Sequence, residues 1–300
     1  MKSYEEKKLS LERWKTILLT IGAITTFLTF FVPFINQPEQ RKSQAFSETL
    51  MRLGDENPAI RAGAAIDLVD FYRYKSLFGM GSSPYREQVI FLLQSSLKKT
   101  NEEDFVRQAV IQALKLIGPQ TLENSWLKGA DLSNLNIRNL SFKGSYLSEA
   151  ILSGASSQEY KPGDSPVSFE GANLFLADLK GSEFWSANFS NVFFESADLS
   201  NSFFLRGTDL RNSSFWRSNL SNTSFYDQQE GANLEGALFD ATVLINTDFS
   251  NARLGTAVFR NITSWDNRTN FQNADCQGTK FEVESQFYKW GCSRFPKCFK

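Results

Sequence analysis

Residues 168–204 read SFEGANLFLADLKGSEFWSANFSNVFFESADLSNSFF, and this stretch decides the fold. A large apolar residue, mostly Leu or Phe, recurs at every fifth position from Phe169 to Phe204, and Ala or Ser stands two residues before most of them. A period of five fits neither an α-helix nor a continuous strand, but it fits short extended sides separated by turns. Because residues two apart in an extended side point the same way, the large residue and its small companion both face inward. The stretch predicts a narrow interior to which each side contributes one wall.

The same period runs from Leu127 to Phe281. It comprises 27 five-residue units with four interruptions, and the large residue at the centre of each unit is Leu in twelve units and Phe in thirteen. If four sides close a square, one coil takes about 20 residues, and successive coils stack at the strand spacing of ~4.8 Å. The units then form nearly seven coils and a rod of roughly 30 Å. The vertical neighbours predicted in this way are Phe169 and Phe189, Leu174 and Phe194, Leu179 and Leu199, and Phe184 and Phe204.

Several units match the motif A-(D/N)-L-x-x without change. They begin at Ala130, Ala172, Ala177, Ala197 and Ala232. In this motif and its spacing, the sequence resembles the pentapeptide-repeat family over residues 125–283. The resemblance implies the right-handed quadrilateral β-helix of that family, a solenoid in which each coil depends on its neighbours. The prediction for the whole chain is a mainly β protein, with this β-helix preceded by a transmembrane helix and a small all-α segment.

Two of the interruptions predict specific features. Gly207 adds one residue between the centres Phe204 and Leu210, which predicts a bulge. The segment Ala155–Pro166, ASSQEYKPGDSP, predicts a surface loop. Loops on rigid scaffolds are common recognition elements, but a tolerated insertion without a partner has the same sequence character. Both interpretations of this loop stay open.

Residues 17–35, ILLTIGAITTFLTFFVPFI, carry no charged side chain. As an α-helix this segment is long enough to cross a hydrocarbon core of ~30 Å. It predicts a single transmembrane helix, preceded by a charged flank at residues 1–16 and followed by a linker at 36–42. Basic residues are more numerous before the segment than after it, so the N-terminus is predicted to be cytoplasmic and residues 36–300 to lie outside the cytoplasm.

Residues 43–121 predict a helical segment. Asn57 and Pro58 have the character of a helix start, and Ile60, Ala64, Leu68 and Phe71 recur at helical spacing on one apolar face. Two more helices are predicted at Pro84–Lys99 and Asn101–Ile117. The paired helices resemble one or two degenerate HEAT-type units. They predict either a surface that docks a partner or a cover over the open end of the β-helix.

Residues 284–300 predict a basic, aromatic cap for the other end of the rod. Open β-helix ends expose unpaired backbone and apolar interior, which the aromatic side chains of this tail can cover. These side chains are Phe287, Tyr288, Trp290 and Phe295. A role at a membrane surface or on an acidic partner is the alternative, because residues 286–300 contain four basic and no acidic residues. Cys292 and Cys298 can form a local disulfide if the domain is exported, whereas Cys276 occupies a unit centre and is predicted to be a buried apolar side chain.

The absence of histidine and the charge balance limit the function. The chain has no His, so nucleophile arrangements and metal sites that require histidine are excluded. Its 32 basic and 33 acidic residues give a net charge of -1, which offers no global field for nucleic acid. No catalytic, cofactor-binding or metal-binding residues are predicted, and no small-molecule substrate.

The predicted function is a non-catalytic scaffold, anchored in a membrane, that binds an unidentified protein partner. The family resemblance implies an alternative, the DNA-mimicking, topoisomerase-interacting role of some pentapeptide-repeat proteins. Such mimicry needs a strongly negative rod. Residues 125–285 contain 19 acidic and 12 basic residues, and arginines such as Arg211 and Arg217 interrupt the acidic surface. The sequence therefore favours the scaffold.

Overall fold

Helices occupy the first part of the chain in the computed structural model, which describes residues 37–75, 82–99, 102–158, 165–282 and 285–299. The helices are α1 (residues 37–53), α2 (Pro58–Arg73), α3 (Arg86–Ser96) and α4 (Asp104–Ile117), followed by a 3-10 turn at Pro119–Leu122. The prediction of helices in this region is confirmed. The predicted linker at 36–42 is wrong for residues 37–42, which are helical because Pro38 in a first turn is compatible with a helix.

Helix α2 shows how local sequence and packing combine. The side chain of Asn57 accepts a hydrogen bond from the backbone N–H of Ala59 at 2.9 Å and caps the helix. Ala64 and Leu68 are fully buried against α3 and α4, as their spacing predicts. Ile60 was expected on the same buried face, but 38% of it is exposed.

No helix in the described part of the chain combines the length and the apolar character that crossing a membrane requires. The predicted transmembrane helix at residues 17–35 and the charged flank at 1–16 lie outside the described residues.

From Ser125 onward the chain winds into coils that pair in parallel with the coils before and after them. Three-residue strands form where pairing is most regular. They are β1 (Glu183–Trp185), β2 (Phe203–Leu205), β3 (Leu238–Asp240) and β4 (Val258–Arg260), with the two-residue β5 (Lys280–Phe281). β1 pairs with β2, and β3, β4 and β5 form a second sheet. Elsewhere single parallel bridges join residues about one coil apart, for example Asp178 to Asp198. Since bridged positions recur every five residues, each coil has four sides.

The predicted vertical neighbours are confirmed. Phe184 pairs in register with Phe204. The rings of Phe169 and Phe189 stack with centroids 4.7 Å apart. The unit centres form continuous columns of buried side chains down the interior, so each coil supplies the apolar surface that its neighbour needs.

The corners of the coils have a backbone conformation that the sequence analysis did not address. At most corners the residue two after the centre has a positive φ, and eleven of the 19 non-glycine residues with positive φ in the described part of the chain are Asn. This is the third residue of a β-turn closed by a hydrogen bond such as Ala130 N–H to Leu127 O, 3.0 Å. At one corner the Asn side chains bond to each other from coil to coil. Asn222 donates to Asn201 at 3.1 Å, and Asn246 donates to Asn222 at 2.9 Å.

The polar residue of the A-(D/N)-L motif stabilises the turn. In unit after unit its side-chain oxygen accepts the backbone N–H two residues later, as Asp178 does from Lys180 at 3.0 Å and Asn188 from Ser190 at 3.0 Å. The Asp and Asn residues of the repeat are therefore part of the fold. Their carboxylates and amides fix each corner while remaining at the surface.

The interruptions of the repeat are smaller than predicted. The expected loop Ala155–Pro166 starts later, because Ala155 is buried and Ser156 pairs with both Asn136 and Glu183, completing a side of the coil. Residues 159–164 of that loop lie outside the described residues. Gly207 is the predicted extra residue, with φ +67°.

A side of the coil was overlooked in the interval between the centres Phe259 and Phe271. Ser264 bridges to Val243, so Trp265 is the centre of this side. It lies six residues from each of its neighbours, one more than the regular period.

Helices cover the first coil. The guanidinium of Arg107 on α4, 4% exposed, donates to the carboxylate of Asp131 at 2.5 Å and also to Ser133. The carbonyl of Leu97 accepts the N–H of Asp131 at 2.7 Å, taking the place of a preceding coil. Gln94 donates to Ser125 at 2.8 Å. The prediction that the helical segment covers this end is confirmed.

The other end is covered by residues 285–299, here called the C-terminal cap. It contains α5 (Gln286–Arg294) and buries Phe287 and Phe299 over the last coil. The predicted pairing of Cys292 with Cys298 is wrong. Cys298 forms a disulfide with Cys276, with the Cα atoms 5.1 Å apart, and Cys292 is free. The prediction of Cys276 as an unpaired buried centre is wrong for the same reason, because the tail folds back across the last coil.

Candidate functional site

One of the four faces of the β-helix differs from the other three. Its outward positions, one per coil, are Trp126, Tyr146, Asn173, Phe193, Ser214, Leu238, Val258 and Lys280, joined by successive parallel bridges. The turns that follow these positions add Phe175, Leu176 and Trp216. We call these residues together the aromatic face.

Exposed apolar side chains concentrate on the aromatic face. Among the described residues of the β-helix, eight large hydrophobic side chains are exposed, and six of them belong to this face. The most exposed is Trp126 at 66%, which stacks on Tyr146 with ring centroids 4.3 Å apart and planes 5° from parallel. Phe193, two coils further along the rod from Tyr146, is 48% exposed. A patch of this kind on a rigid surface is typical of a binding site.

A groove extends the aromatic face onto the helices. It has a volume of about 540 Å³ and lies between α3 and the first coil. Phe91 of α3, 68% exposed, and Trp126 contribute apolar walls, and Gln94 and Glu123 contribute polar groups. The groove therefore places the exposed Phe91 of the helical cover near Trp126 of the aromatic face.

The opposite face carries little apolar surface. A four-sided coil places Phe203 and its column two sides away from the aromatic face. Phe203 is 43% exposed, and its vertical neighbours are Glu183 and Ser224. Phe203 is therefore an isolated exposed aromatic residue and serves as a matched reference for Phe193.

About half of the acidic side chains on the described part of the rod are paired with basic ones. The ion pairs within or between coils are Lys128–Glu149, Lys143–Glu170, Lys180–Asp198, Arg211–Asp209, Arg253–Glu230, Arg260–Asp240 and Arg268–Asp266. Each joins opposite charges on the surface, so the negative potential of the rod is divided into short segments.

Some of these pairs shift the pKa of the carboxylate. Partial burial alone would raise the pKa of Asp209, but hydrogen bonds from the side chain and backbone of Arg211 and the guanidinium charge lower it below its usual value. Asp198 has a lowered pKa for a similar reason, with Ser200 and Lys180 outweighing the effect of burial. The ionised form of these side chains is thus stabilised by the fold. This is a structural role, because the same hydrogen bonds close the turns.

Within the described ranges, no group of three or more His, Cys, Asp or Glu residues lies in an arrangement that could hold a metal ion. The prediction that the chain has no catalytic, cofactor-binding or metal-binding residues stays a prediction.

Comparison with known proteins agrees with the four-sided coil. A family model described as pentapeptide repeats matches eight copies at residues 121–155, 168–204, 204–227 and 230–261. Most of residues 121–261 therefore match the pentapeptide-repeat family model. The resemblance of residues 43–121 to HEAT-type units is not supported. A comparison with curated proteins found no match.

Solved structures of pentapeptide-repeat proteins are similar to this chain. Rfr23 of the cyanobacterium Cyanothece 51142 is 22% identical over 38% of this chain and 67% of its own, with a TM-score of 0.28. HetL of Nostoc sp. Strain PCC 7120, involved in heterocyst differentiation regulation, is 21% identical over 52% and 84%, with a TM-score of 0.18. A protein of the Arabidopsis thaliana thylakoid lumen is 16% identical over 45% and 74%, with a TM-score of 0.16.

The sequence analysis missed the aromatic face, although the sequence holds a signal for it. The face depends on the residue before each centre, taken once per coil, and Trp126, Tyr146 and Phe193 occupy such positions. The pattern can be recognised only when the loop residues are left out of the 20-residue period of the coil, because Ser141 pairs with Ser168 across the loop.

Proposed function

We propose that this protein is a non-catalytic, membrane-anchored module that binds a protein partner through the aromatic face. The observation that carries the proposal is the concentration of exposed Trp, Tyr and Phe on one of four otherwise polar faces. Large aromatic side chains are enriched at the centres of protein interfaces, where they provide contact area with little loss of conformational entropy. A rod of stacked coils holds them at fixed spacing, so the binding surface is preorganised.

Membrane anchoring rests on the sequence of residues 17–35. The segment is uncharged and of spanning length, and the basic residues before it favour a cytoplasmic N-terminus. The disulfide between Cys276 and Cys298 supports the same orientation, because disulfides form in oxidising compartments outside the cytoplasm. We therefore infer that residues 36–300 face such a compartment.

The experiment for the binding surface is cross-linking in native membranes, with mass spectrometry to identify the proteins captured by the full chain. The variant Phe193→Glu introduces a charge into the aromatic face, and Phe203→Glu introduces the same charge at a similarly exposed position on the opposite face. We expect Phe193→Glu to reduce capture of a specific partner at least tenfold, and Phe203→Glu to leave it within twofold. Equal capture by both variants would contradict the proposed surface.

The orientation is tested separately by adding protease to sealed cells or vesicles of known sidedness. We expect residues 36–300 to be digested from the non-cytoplasmic side only. Recovery of the full chain in the soluble fraction, without membranes, would contradict the anchor but leave the aromatic face in place.

The alternative role, DNA mimicry toward a topoisomerase, is less well supported. A DNA mimic needs a continuous negative surface, whereas surface ion pairs such as Lys180–Asp198, 3.2 Å, neutralise much of this rod. In a supercoiling assay we expect no inhibition by the full chain at a ratio of one to one. Inhibition at that ratio would favour the alternative.

A further inference from the structure

We propose that the Cys276–Cys298 disulfide is a redox latch that holds the C-terminal cap on the last coil, and that a dithiol reductant releases the cap. This proposal goes beyond the proposed binding function, because it concerns the distal end of the rod and does not depend on the aromatic face.

The cap closes the apolar interior through aromatic contacts with the last coils. The ring of Phe299 stacks on that of Phe281, a centre of the last coil, with centroids 3.9 Å apart, and meets the edge of Phe271 at 5.2 Å. Phe287 of α5 lies 5.4 Å from Trp265. Gly291 allows this closure, because a Cβ atom at this position would collide with the Phe299 ring.

The aromatic contacts involve residues beside the disulfide. The disulfide and the aromatic packing therefore hold the same segment of the cap on the last coil. Cys298 precedes Phe299 directly and is 7% exposed. Polar contacts add little, since the hydrogen bond from Arg294 to the carbonyl of Asn267, 3.0 Å, is exposed. Helix α5 has nine residues, and isolated helices of this length are unstable in water. The cap therefore depends on its attachment to the coil.

Two clefts lie beside the disulfide. A cleft of about 330 Å³ lies on one side of it, lined by Phe271, Arg294, Lys297 and Cys298. A second cleft, of about 520 Å³, is lined by Cys276, Lys297 and Cys298. Lys297 lines both clefts, and a neighbouring ammonium favours the thiolate of a departing cysteine. Cys276 is partly exposed, and exposed disulfides exchange more readily than fully buried ones.

Release is a thiol–disulfide exchange with a dithiol. One thiolate of the reductant attacks Cys276 or Cys298, the protein disulfide breaks, and a mixed disulfide forms. The second thiol of the reductant then closes its own disulfide. Both cysteines leave as thiols, each having gained one electron and one proton, and the dithiol is oxidised by two electrons.

Reduction restores chain entropy to the 22-residue segment that the disulfide closes. We expect amide protection in α5 to fall about 100-fold on reduction, whereas protection in α2 and in the coils near Phe204 stays within threefold. The exposed rings of Phe281 and Phe271 then present new apolar surface at the end of the rod.

The test is hydrogen exchange of the full chain, purified without reductant in mild detergent, before and after treatment with dithiothreitol. Cys298→Ser is expected to show the exchange of the reduced protein with or without dithiothreitol. Cys292→Ser is the matched control and is expected to behave as the wild type in both states. Unchanged protection of α5 after complete reduction, verified by mass, would overturn the proposal. Three free thiols in the unreduced protein would also overturn it.

Discussion

Individual residues explain why a five-residue period produces this interior. Each side needs a large centre, a small residue two positions earlier and a polar residue between them, as in Ala197, Asp198 and Leu199. The sequence was sufficient to predict the first two roles, because alternation in an extended side follows from backbone geometry. It was not sufficient for the third, since a surface Asp that closes a turn and a solvated Asp have the same pattern. The Asn residues at positive φ, such as Asn201, were also not predicted, because an Asn that forms a turn and a solvated Asn have the same sequence pattern.

The centre Phe204 provides the first prediction. It is fully buried between Phe184 and Phe225, with ring centroids 5.6 and 5.4 Å away. Phe204→Ala is expected to lower the free energy of unfolding by about 3–5 kcal/mol, because it leaves a cavity that the stacked coils cannot close. Phe203→Ala changes an exposed neighbour and is expected to cost under about 1 kcal/mol. Denaturant unfolding of both variants measures the difference, and equal costs would mean that residue 204 does not face the interior.

Asp209 provides a prediction about pH. Its pKa in the folded protein is lowered, because the hydrogen bonds and charge of Arg211 outweigh the effect of partial burial. The ionised carboxylate therefore contributes stability above the pKa of the unfolded chain, about 3.9, and this contribution is lost as the pH falls through the lower folded pKa. Asp209→Asn keeps a turn acceptor but removes the titration. We expect the fall in unfolding free energy between about pH 5 and pH 2 to be shallower in this variant.

The complementary variant Arg211→Gln removes the partner instead of the carboxylate, and we expect it to flatten the same part of the pH profile. A profile identical to that of the wild type in both variants would show that the pair does not contribute to acid sensitivity.

At the scale of elements, the helices and the regular coils were predictable, whereas long-range closure was not. The side centred on Trp265 was not predicted. Trp265 lies six residues from the unit centre on either side, and a search for a five-residue period interprets this interval as a loop. The disulfide was mispredicted because sequence proximity favours Cys292 and Cys298, while the fold-back of the tail places Cys298 beside Cys276. Both errors concern the number of residues between two segments that pack together in the rod.

The junction between α4 and the first coil depends on Arg107. Its buried guanidinium bonds both to Asp131 and to Ser133. Arg107→Met is expected to lower the free energy of unfolding by about 3–5 kcal/mol, because Asp131 loses its charged partner at a largely buried junction. Arg52→Met removes an ion pair with Asp67 whose side chains are about half exposed, and is expected to cost at most about 1 kcal/mol. Thermal unfolding of the two variants provides the comparison. Similar losses would contradict the role of Arg107 as the attachment of the cover.

At the scale of the whole molecule, the fold explains how a chain with balanced charge and no histidine can still present a distinct surface. The coils align one outward position per turn into a column, so a few aromatic residues far apart in sequence become one face. Surface ion pairs divide the negative surface of the rod into short segments. The helical segment covers one end of the rod, and the C-terminal cap covers the other. The membrane segment was inferred from composition alone, whereas the aromatic face required the register of the coils.

Paired cysteines on neighbouring coils test whether the four-sided coils stack. In a Cys292→Ser background, Asp178→Cys combined with Asp198→Cys joins bridged positions about 20 residues apart, at the strand spacing of ~4.8 Å, which a disulfide can span. Asp178→Cys combined with Glu183→Cys joins positions closer in sequence but on adjacent faces, with side chains that point apart. We expect rapid oxidation to a cross-link in the first pair and none in the second. A cross-link in the second pair only would contradict the stacking.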